Sequence, residues 1–241
     1  MKGFALVTGF DAAIIDLDGT MVDTVGDFVV ALNLMLGDLN LPNHPQLDRR
    51  LVERMIGKGS ENLIKSVLNH LEAQYLRTQS ATELIALSSI QTFDAAFTSY
   101  QKHYLAINGQ HSQVYPGVVD GLNAMQRSGL KLACLTNKPL AFAEALLRLK
   151  GLDGFFSQVF GGDSFERKKP DPMPVLKTCA SLGSLPARTL MVGDSSNDAQ
   201  AARAAGCPVL LVTYGYNHGE PIRGVDADGF IDSLAELLAQ T

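Results

Sequence analysis

The sequence lacks the features that mark membrane-spanning, secreted and nucleic-acid-binding proteins. No apolar run of about eighteen residues occurs, so a membrane span is not expected. Residues 1–8 contain no apolar region long enough for a secretory signal. The formal net charge is −5, which leaves no basic footprint for nucleic acid. We therefore expect a soluble, cytoplasmic protein with no nucleic-acid and no membrane partner; a monomer and a homodimer both remain open.

Cysteine is scarce as well. Cys134, Cys179 and Cys207 are odd in number, widely spaced and set among apolar residues. This pattern fits neither a disulfide framework nor a zinc site, and it is typical of small core residues in a reducing compartment.

Two kinds of pattern divide the 241 residues, a length that suffices for one large domain or two moderate ones. Residues 24–108 show apolar positions at helical spacing and no strand-like run. The helices predicted there are 25–36, 47–55, 61–73 and about 82–107. From Pro116 onward strands alternate with helices, as in a parallel α/β sheet. The strands predicted there are 130–135, 157–160, 189–192, 208–213 and 229–231, and the helices are 117–128, 140–150, 173–182, 196–205 and 233–239.

An isolated apolar run, Ala12 to Ile15, precedes the helical segment. A single strand cannot bury itself, so this run must join the later strands in one sheet. The sequence thus predicts a doubly wound, mostly parallel, Rossmann-like α/β core formed by residues 1–23 and 109–241. The all-helical segment 24–108 is then an inserted cap domain, which by topology is a lid.

Two acids follow the first strand, Asp16 and Asp18, with Gly19 and Thr20 directly after them. The run before Asp16 is apolar throughout, as in a strand buried on both faces, so both acids fall at its carboxyl end, where open α/β sheets build ligand sites. Neighbouring carboxylates repel one another unless a cation or a shared proton reconciles them, which suggests a metal. Taken alone, the stretch is equally compatible with an Asp-Gly hairpin turn.

Other candidates stand in the loops that follow the later strands: Thr136, Asn137, Lys169, Asp194 and Asp198. Each has a purely structural interpretation. Asp194 and Ser195 are good N-caps for helix 196–205, Thr136-Asn137 is also a possible cap, and Lys168-Lys169 could be a solvated charge run. Their position at one end of the sheet argues against all of these interpretations together.

The four motifs occur in the order Asp-x-Asp-Gly-Thr (16–20), apolar strand plus Thr (132–136), Lys-Pro (169–170) and Gly-Asp-x-x-x-Asp (193–198). In this order they resemble the haloacid dehalogenase superfamily. Dehalogenases carry an aromatic residue where this chain has Asp18, and phosphonoacetaldehyde hydrolases a small one. Asp18 therefore indicates phosphoryl transfer with Mg²⁺.

The resemblance implies a role for each motif residue. Asp16 would be the nucleophile, Asp18 the general acid and base, and Lys169 the charge that neutralises the phosphoryl group. Thr136 and the backbone N–H of Asn137 would hold phosphate oxygens. Mg²⁺ would be bound by the carboxylates of Asp16 and Asp194 and the carbonyl of Asp18. Asp198 would lie behind them, orienting Lys169 or a metal-bound water, and direct contact of Asp198 with the metal stays open.

Within the superfamily the chain resembles the phosphoglycolate phosphatases, through segments such as Leu135–Pro139, Lys168–Pro170 and Thr213–Asn217. The substrate expected from this resemblance is 2-phosphoglycolate. The glycine-flanked Lys58, at a helix N-terminus, is a candidate for its carboxylate, the structural alternative being an exposed lysine in a turn. The Tyr214–Asn217 loop and His218 receive no role.

Rival functions remain at this stage. The enzymatic ones are a phosphatase for another small phosphate monoester or pyrophosphate, and a sugar-phosphate mutase. A non-catalytic phosphate- or Mg²⁺-binding domain is disfavoured, because such a domain has no need of the acid at Asp18.

Overall fold

The architecture is taken from a computed structural model that describes residues 9–41, 45–77, 81–82, 84–85 and 92–237. The strands in chain order are β1 (Ala12–Ile15), β2 (Val22–Asp23), β3 (Gln113–Val114), β4 (Lys131–Leu135), β5 (Gln158–Phe160), β6 (Thr189–Gly193), β7 (Val209–Val212) and β8 (Gly229–Ile231). The longer helices are α1 (Val25–Asp38), α2 (Arg49–Glu53), α3 (Ser60–Arg77), α4 (Thr92–Ile107), α5 (Val118–Arg127), α6 (Leu140–Leu149), α7 (Met173–Leu182) and α8 (Ser196–Ala205).

Six of these strands form one parallel sheet in the order β5-β4-β1-β6-β7-β8. The first strand, β1, pairs with β4 on one side and β6 on the other, so the isolated apolar run does join strands more than a hundred residues away. All four residues of β1 are buried, as expected for a strand covered on both faces.

Helices cover both faces of this sheet. Ala13 and Ile15 point to one face, where they belong to a cluster with α5 and α6 residues such as Leu122 and Leu146. Ile14 faces the opposite side, in a cluster with residues of α7 and α8. This period-two alternation confirms the doubly wound, Rossmann-like class.

The chain divides into two compact units, one formed by Met1–Asp23 with Gln113–Thr241 and the other by Thr24–Ser112. In the helical unit, Phe28 of α1 stacks on Tyr104 of α4 with ring centroids 5.3 Å apart. Asp38 at the end of α1 accepts hydrogen bonds at 2.8 Å from Ser99 and interacts with His103 at the same distance. These contacts fasten the two long helices side by side.

The second boundary falls after Ser112, not after residue 108 as the sequence suggested. The backbone N–H groups of Gly109 and His111 donate to the two carboxylate oxygens of Asp27 at 2.8 and 2.7 Å. Asp27 is fully buried in α1, so these bonds attach residues 109–112 to the helical unit. An interaction across more than eighty residues leaves no local sequence signal.

The crossing into the insertion is marked by a short antiparallel ribbon, in which β2 pairs with β3. Val22 lies opposite Val114, so the chain leaves the α/β unit and returns to it side by side. This ribbon was not predicted, because two-residue strands are too short to show any periodicity.

Several predicted helices are shorter in the structure. The second covers Arg49–Glu53 instead of 47–55, because Asp48 caps it and the backbone N–H of Leu47 donates to Asn33. The predicted helix 233–239 is a 3₁₀ turn over Leu234–Leu237, with residues 238–241 outside the described part of the chain. Of the predicted helix 82–107, residues 83 and 86–91 likewise lie outside it.

No helix in the described ranges has both the length and the apolarity needed to cross a bilayer. Cys134, Cys179 and Cys207 are all buried and free of disulfides, in line with the prediction of core residues.

Candidate active site

The polar residues predicted as a site follow adjacent parallel strands. Asp16 comes directly after β1, Thr136 after β4, and Asp194 after β6, and these three strands are neighbours in the sheet. All three residues are buried. Since the strands run parallel, their carboxyl ends lie at one edge, and the hairpin interpretation of Asp16 to Thr20 is wrong.

Lys169 joins this edge from the loop that precedes α7. Its ammonium nitrogen lies 2.6 Å from Oδ1 of Asp198 and 3.0 Å from Oδ1 of Asp16, with 2% of the side chain exposed. The same nitrogen donates to the carbonyl of Leu135 at 2.7 Å. Lys169 is therefore a fixed, buried cation rather than part of a solvated charge run.

Asn137 holds the backbone of this lysine. Its side-chain amide donates to the carbonyl of Lys169 at 2.8 Å and its amide oxygen accepts from the N–H of Lys169 at 3.1 Å. Thr136 is 2% exposed, and its hydroxyl oxygen accepts from the N–H of Lys138 at 3.2 Å. The side chain of Asn137 thus has a positioning function that the sequence did not suggest.

Asp198 has both carboxylate oxygens committed. Oδ1 accepts from Lys169, while Oδ2 accepts from the backbone N–H groups of Asp194 and Ser195 and from the hydroxyl of Ser195. Three of these four hydrogen bonds fall on Oδ2, so Oδ1 keeps a lone pair besides the one that accepts from Lys169. Ser195 does cap α8, and Asp198 completes the capping box, so the structural interpretation of this pair holds alongside a functional one.

Each carboxylate oxygen of Asp194 accepts a hydrogen bond, and lone pairs remain for a further ligand. Oδ1 accepts from the hydroxyl of Thr20 at 3.3 Å, and Oδ2 accepts from the backbone N–H of Tyr216 at 2.6 Å. The approach is close because two glycines line it: a Cβ on Gly19 would lie 2.0 Å from Oδ2, and one on Gly215 would lie 2.4 Å from it. Gly19 also has φ of +83°, a conformation that favours glycine.

Burial makes this carboxylate cluster electrostatically costly. Burial raises the pKa of Asp16 to about 7, with Lys169 opposing the rise and Asp198 and Asp18 adding to it. Burial, followed by Asp198 and Asp16, also raises the pKa of Asp194 well above its usual value. Burial alone would lower the pKa of Lys169, but the two neighbouring carboxylates outweigh it and the pKa lies above its ordinary value.

The cluster has the composition of a divalent-cation site. One carboxylate oxygen from each of Asp16, Asp194 and Asp198 lies within 4.8 Å of the others. Oδ1 of Asp16 is buried and receives no hydrogen bond within the described residues, its contact with Lys169 being an ion pair. Hard oxygen ligands of this kind suit Mg²⁺, and Asp16 and Asp194 retain more lone pairs for it than Asp198, which already accepts four hydrogen bonds.

Asp18 stands apart from this cluster and has its own cation. Oδ1 of Asp18 lies 2.8 Å from the ammonium nitrogen of Lys138, and 11% and 2% of the respective side chains are exposed. The two acids of the first motif are thus paired with different lysines.

The loop after β7 borders the site, a place to which the sequence assigned no role. Besides the bond from Tyr216 to Asp194, the hydroxyl of Tyr214 donates to the carbonyl of Thr20 at 2.8 Å. Asn217 accepts from the N–H of Ser196 at the start of α8, and His218 contacts Asn197 at 3.3 Å. The hydroxyl of Tyr216 further donates to Asp23 in β2.

Three contributors were missed: Lys138, Thr20 and Tyr216. Lys138 lies in the Thr-Asn-Lys-Pro segment and Thr20 in the first motif, so membership of a motif was their only signal. Tyr216 acts through its backbone N–H, which any residue but proline carries, so its type reveals nothing. Lys58 lies exposed in the helical unit, two residues before α3, between Gly57 and Gly59, both at positive φ.

The contribution of Asp16 to the stability of the metal-free protein is expected to fall as the pH rises from about 4 to about 7. Asp16 titrates near 7 in the fold but near 3.8 in its absence, so the folded state holds a proton that the unfolded chain has released. That contribution is present below the unfolded pKa and disappears as the pH passes the folded one. In EDTA, the free energy of unfolding of Asp16→Asn relative to that of the parent protein should therefore increase from pH 5 to pH 8, by on the order of 1–3 kcal/mol.

Urea unfolding of both proteins at the two pH values measures this difference. Subtracting the two free energies of unfolding removes the contributions of other carboxylates, such as Asp11 and Asp171. Their pKa values are lowered by Arg188 and Arg167, so they change stability with pH in the opposite direction. A stability difference that does not change with pH would contradict the burial of an ionising Asp16.

Comparison with known proteins agrees with this geometry. The family model of haloacid dehalogenase-like hydrolases matches residues 10–206, which include every motif residue of the site. The chain belongs to this hydrolase family, and it is an enzyme.

Its relatives are more specific. The chain is 42% identical to a phosphoglycolate phosphatase of Thiobacillus denitrificans over 98% of its own length and 96% of that protein. It is also 42% identical to a plasmid-encoded phosphoglycolate phosphatase of Cupriavidus necator, over 95% of this chain and 91% of the relative. The crystal structure of a predicted phosphoglycolate phosphatase from Haemophilus somnus superposes with a TM-score of 0.85 at 34% identity, covering 96% of this chain and 97% of that one.

Proposed function

We propose that this enzyme hydrolyses 2-phosphoglycolate to glycolate and phosphate through an aspartyl-phosphate on Asp16. The observation that carries the chemistry is a buried ammonium group beside the proposed nucleophile: Lys169 lies 3.0 Å from Oδ1 of Asp16, with the carboxylates of Asp194 and Asp198 close by. The substrate is supported by the relatives, which match over nearly the whole chain and carry that activity in their names.

The first requirement of the reaction is charge neutralisation, because a phosphate dianion repels a carboxylate nucleophile. Lys169 supplies a buried positive charge beside Asp16. The Thr136 hydroxyl and the Asn137 backbone N–H are assigned to the remaining phosphate oxygens. Asp198 acts through Lys169, whose ammonium it holds at 2.6 Å, and Asn137 fixes the same residue through its backbone.

Asp16 and Asp18 divide the covalent chemistry. A carboxylate oxygen of Asp16 forms a bond to phosphorus as the bond to the ester oxygen breaks, and Asp18 gives its proton to that oxygen. Asp18 then takes a proton from the water that attacks the aspartyl-phosphate, which releases phosphate and restores Asp16. Asp18 thus loses one proton in the first step and regains one in the second, so the complete cycle restores both acids.

Magnesium is the metal that fits this donor set. The carboxylates of Asp16 and Asp194 and the backbone carbonyl of Asp18 would hold it, with Thr20 and Tyr216 orienting Asp194. When bound, the ion supplies further positive charge against the phosphate oxygens.

The proposal is tested by measuring phosphate release, with Mg²⁺, from 2-phosphoglycolate, ethyl phosphate, 3-phosphoglycerate, glucose 1-phosphate and pyrophosphate. We expect the highest kcat/KM with 2-phosphoglycolate and no activity in EDTA. A higher kcat/KM for another ester would assign the enzyme to that substrate. Transfer of phosphate to a sugar phosphate instead of water would identify a mutase.

Thr24–Ser112 is proposed as a cap that contributes to substrate choice, with Lys58 as its anion-binding residue. The support is the glycine-flanked position of Lys58 shortly before α3, because the N-terminus of a helix favours anions. Lys58→Ala is expected to raise KM for 2-phosphoglycolate about tenfold and to leave KM for ethyl phosphate within about twofold. Steady-state kinetics on both esters decide the matter, and Lys65→Ala on α3 serves as a control; equal effects on both esters would count against Lys58.

A further inference from the structure

The ion pair between Lys138 and Asp18 has no part in the chemistry assigned so far. Lys138 is the third residue of the loop after β4, and 2% of its side chain is exposed although it carries a charge. Burying an ammonium group is costly unless carboxylates compensate it. A buried lysine beside Asp18 and outside the Asp16 cluster suggests a function separate from that of Lys169.

The backbone around Lys138 fixes its position. Its N–H donates to the hydroxyl of Thr136, and its carbonyl accepts from the N–H of Gly162 at 2.8 Å. The opposing glycines leave no space for a side chain: a Cβ on Gly161 would lie 2.3 Å from the backbone nitrogen of Leu140, and one on Gly162 would lie 2.3 Å from the carbonyl oxygen of Asn137. The loop that bears Lys138 is therefore anchored on both sides.

The position of Lys138 relative to the reaction follows from Asp18. In the proposed reaction the carboxyl group of Asp18 contacts the ester oxygen that leaves with the organic part of the substrate. The Lys138 nitrogen lies 2.8 Å from Oδ1 of that group. Its partner is therefore Asp18, the acid assigned to the leaving group, whereas Asp16 is the acid assigned to phosphorus. Groups within one or two bonds of the ester oxygen are thus the part of a substrate that Lys138 can reach.

We propose that Lys138 binds the carboxylate of the substrate and selects phosphate esters of 2-hydroxy acids. In such esters the carbon that bears the ester oxygen also bears the carboxylate, so a group beside Asp18 is at the correct separation. An ammonium group has three N–H donors and can hold Asp18 and a substrate carboxylate together. This inference rests on the proposed function and adds a specificity residue from the α/β unit to it.

Ethyl phosphate is the matched probe, because it has a CH₂ group next to the ester oxygen but no carboxylate. We expect Lys138→Met to lower kcat/KM about 10- to 100-fold more for 2-phosphoglycolate than for ethyl phosphate, mainly through KM. The ratio of the two values is measured on one preparation, so it does not depend on the fraction of active enzyme. Lys131→Met, at the other end of β4, is the control and should leave the ratio unchanged.

Equal losses on both esters would overturn the proposal and leave Lys138 as a partner of Asp18 only. If Lys138→Met shows no thermal unfolding transition, Lys138→Gln, which keeps a polar side chain of similar length, is measured by the same ratio. Failure of the proposed function is a separate outcome, since the parent enzyme would then not prefer 2-phosphoglycolate over ethyl phosphate. Lys58→Ala, measured in parallel, shows whether the helical unit contributes to the same carboxylate.

Discussion

Asp16→Asn should abolish turnover, lowering kcat for 2-phosphoglycolate by roughly 10³-fold or more, because an amide oxygen is too weak a nucleophile to form the phosphoryl bond. The substitution keeps the shape of the side chain and removes a buried negative charge, so the variant should fold, and in EDTA its stability relative to the parent should increase with pH through the pKa of Asp16. Phosphate release and trapping of a beryllofluoride adduct are the two measurements, and both should be lost.

Asp11→Asn is the matched control for this experiment. Asp11 directly precedes the same strand at its opposite end, where its exposed side chain pairs with Arg188. Its kcat/KM and its beryllofluoride adduct should equal those of the parent enzyme. Turnover or adduct formation that survives Asp16→Asn would remove Asp16 from the role of nucleophile.

The second large effect is expected from Asp18→Asn, which should lower kcat for 2-phosphoglycolate by about 10²- to 10⁴-fold, since asparagine can neither give nor take the proton. The effect should depend on the leaving group. With p-nitrophenyl phosphate, whose leaving group departs without a proton, phosphorylation of Asp16 should persist while hydrolysis of the aspartyl-phosphate is slow. Rapid-quench kinetics should then show a burst of p-nitrophenol, followed by slow turnover.

The burst separates the two tasks of Asp18. A variant that slows only the second step with p-nitrophenyl phosphate, and both steps with 2-phosphoglycolate, fits one residue acting first as acid and then as base. Unchanged phosphorylation and dephosphorylation rates with both esters would show that Asp18 does not transfer protons. Asp163→Asn provides a comparison, because Asp163 caps α6 through the N–H of Leu140 and lies outside the acid cluster.

The elements of the α/β unit were accessible from sequence because they are long enough to display a pattern. The strands Ala12–Ile15 and β7 are apolar at every position, and β4 is apolar after its first residue, Lys131, which is typical of parallel strands buried on both faces. The ribbon of β2 and β3 is too short for any such pattern. The bond from Gly109 to Asp27, which moves the unit boundary, joins residues 82 positions apart and depends on α1 and α4 packing side by side.

The candidate site was accessible to the extent that its side chains belong to motifs at strand ends. Asp16, Asp18, Lys169, Asp194 and Asp198 were all named, and the structure brings Asp16, Lys169, Asp194 and Asp198 together. The number of hydrogen bonds that each of these side chains makes could not be predicted from the sequence. That Asp198 already accepts four hydrogen bonds follows only from its contacts with Lys169, Asp194 and Ser195.

The sequence by itself placed the site residues at one edge of the sheet, after parallel strands or in the loops that follow them: two acids, a threonine, a lysine and two further acids. This was possible because strand direction and motif order follow from local pattern. Tertiary structure decided which lysine serves which acid. Asp18 pairs with Lys138 across 120 positions and Asp16 with Lys169 across 153, and nothing in the local sequence distinguishes these pairings from the reverse. The distinction arises because β1 lies beside β4 in the sheet, whereas the loop that bears Lys169 is held by Asn137 and Asp198. Such contacts exist only once the strands have assembled.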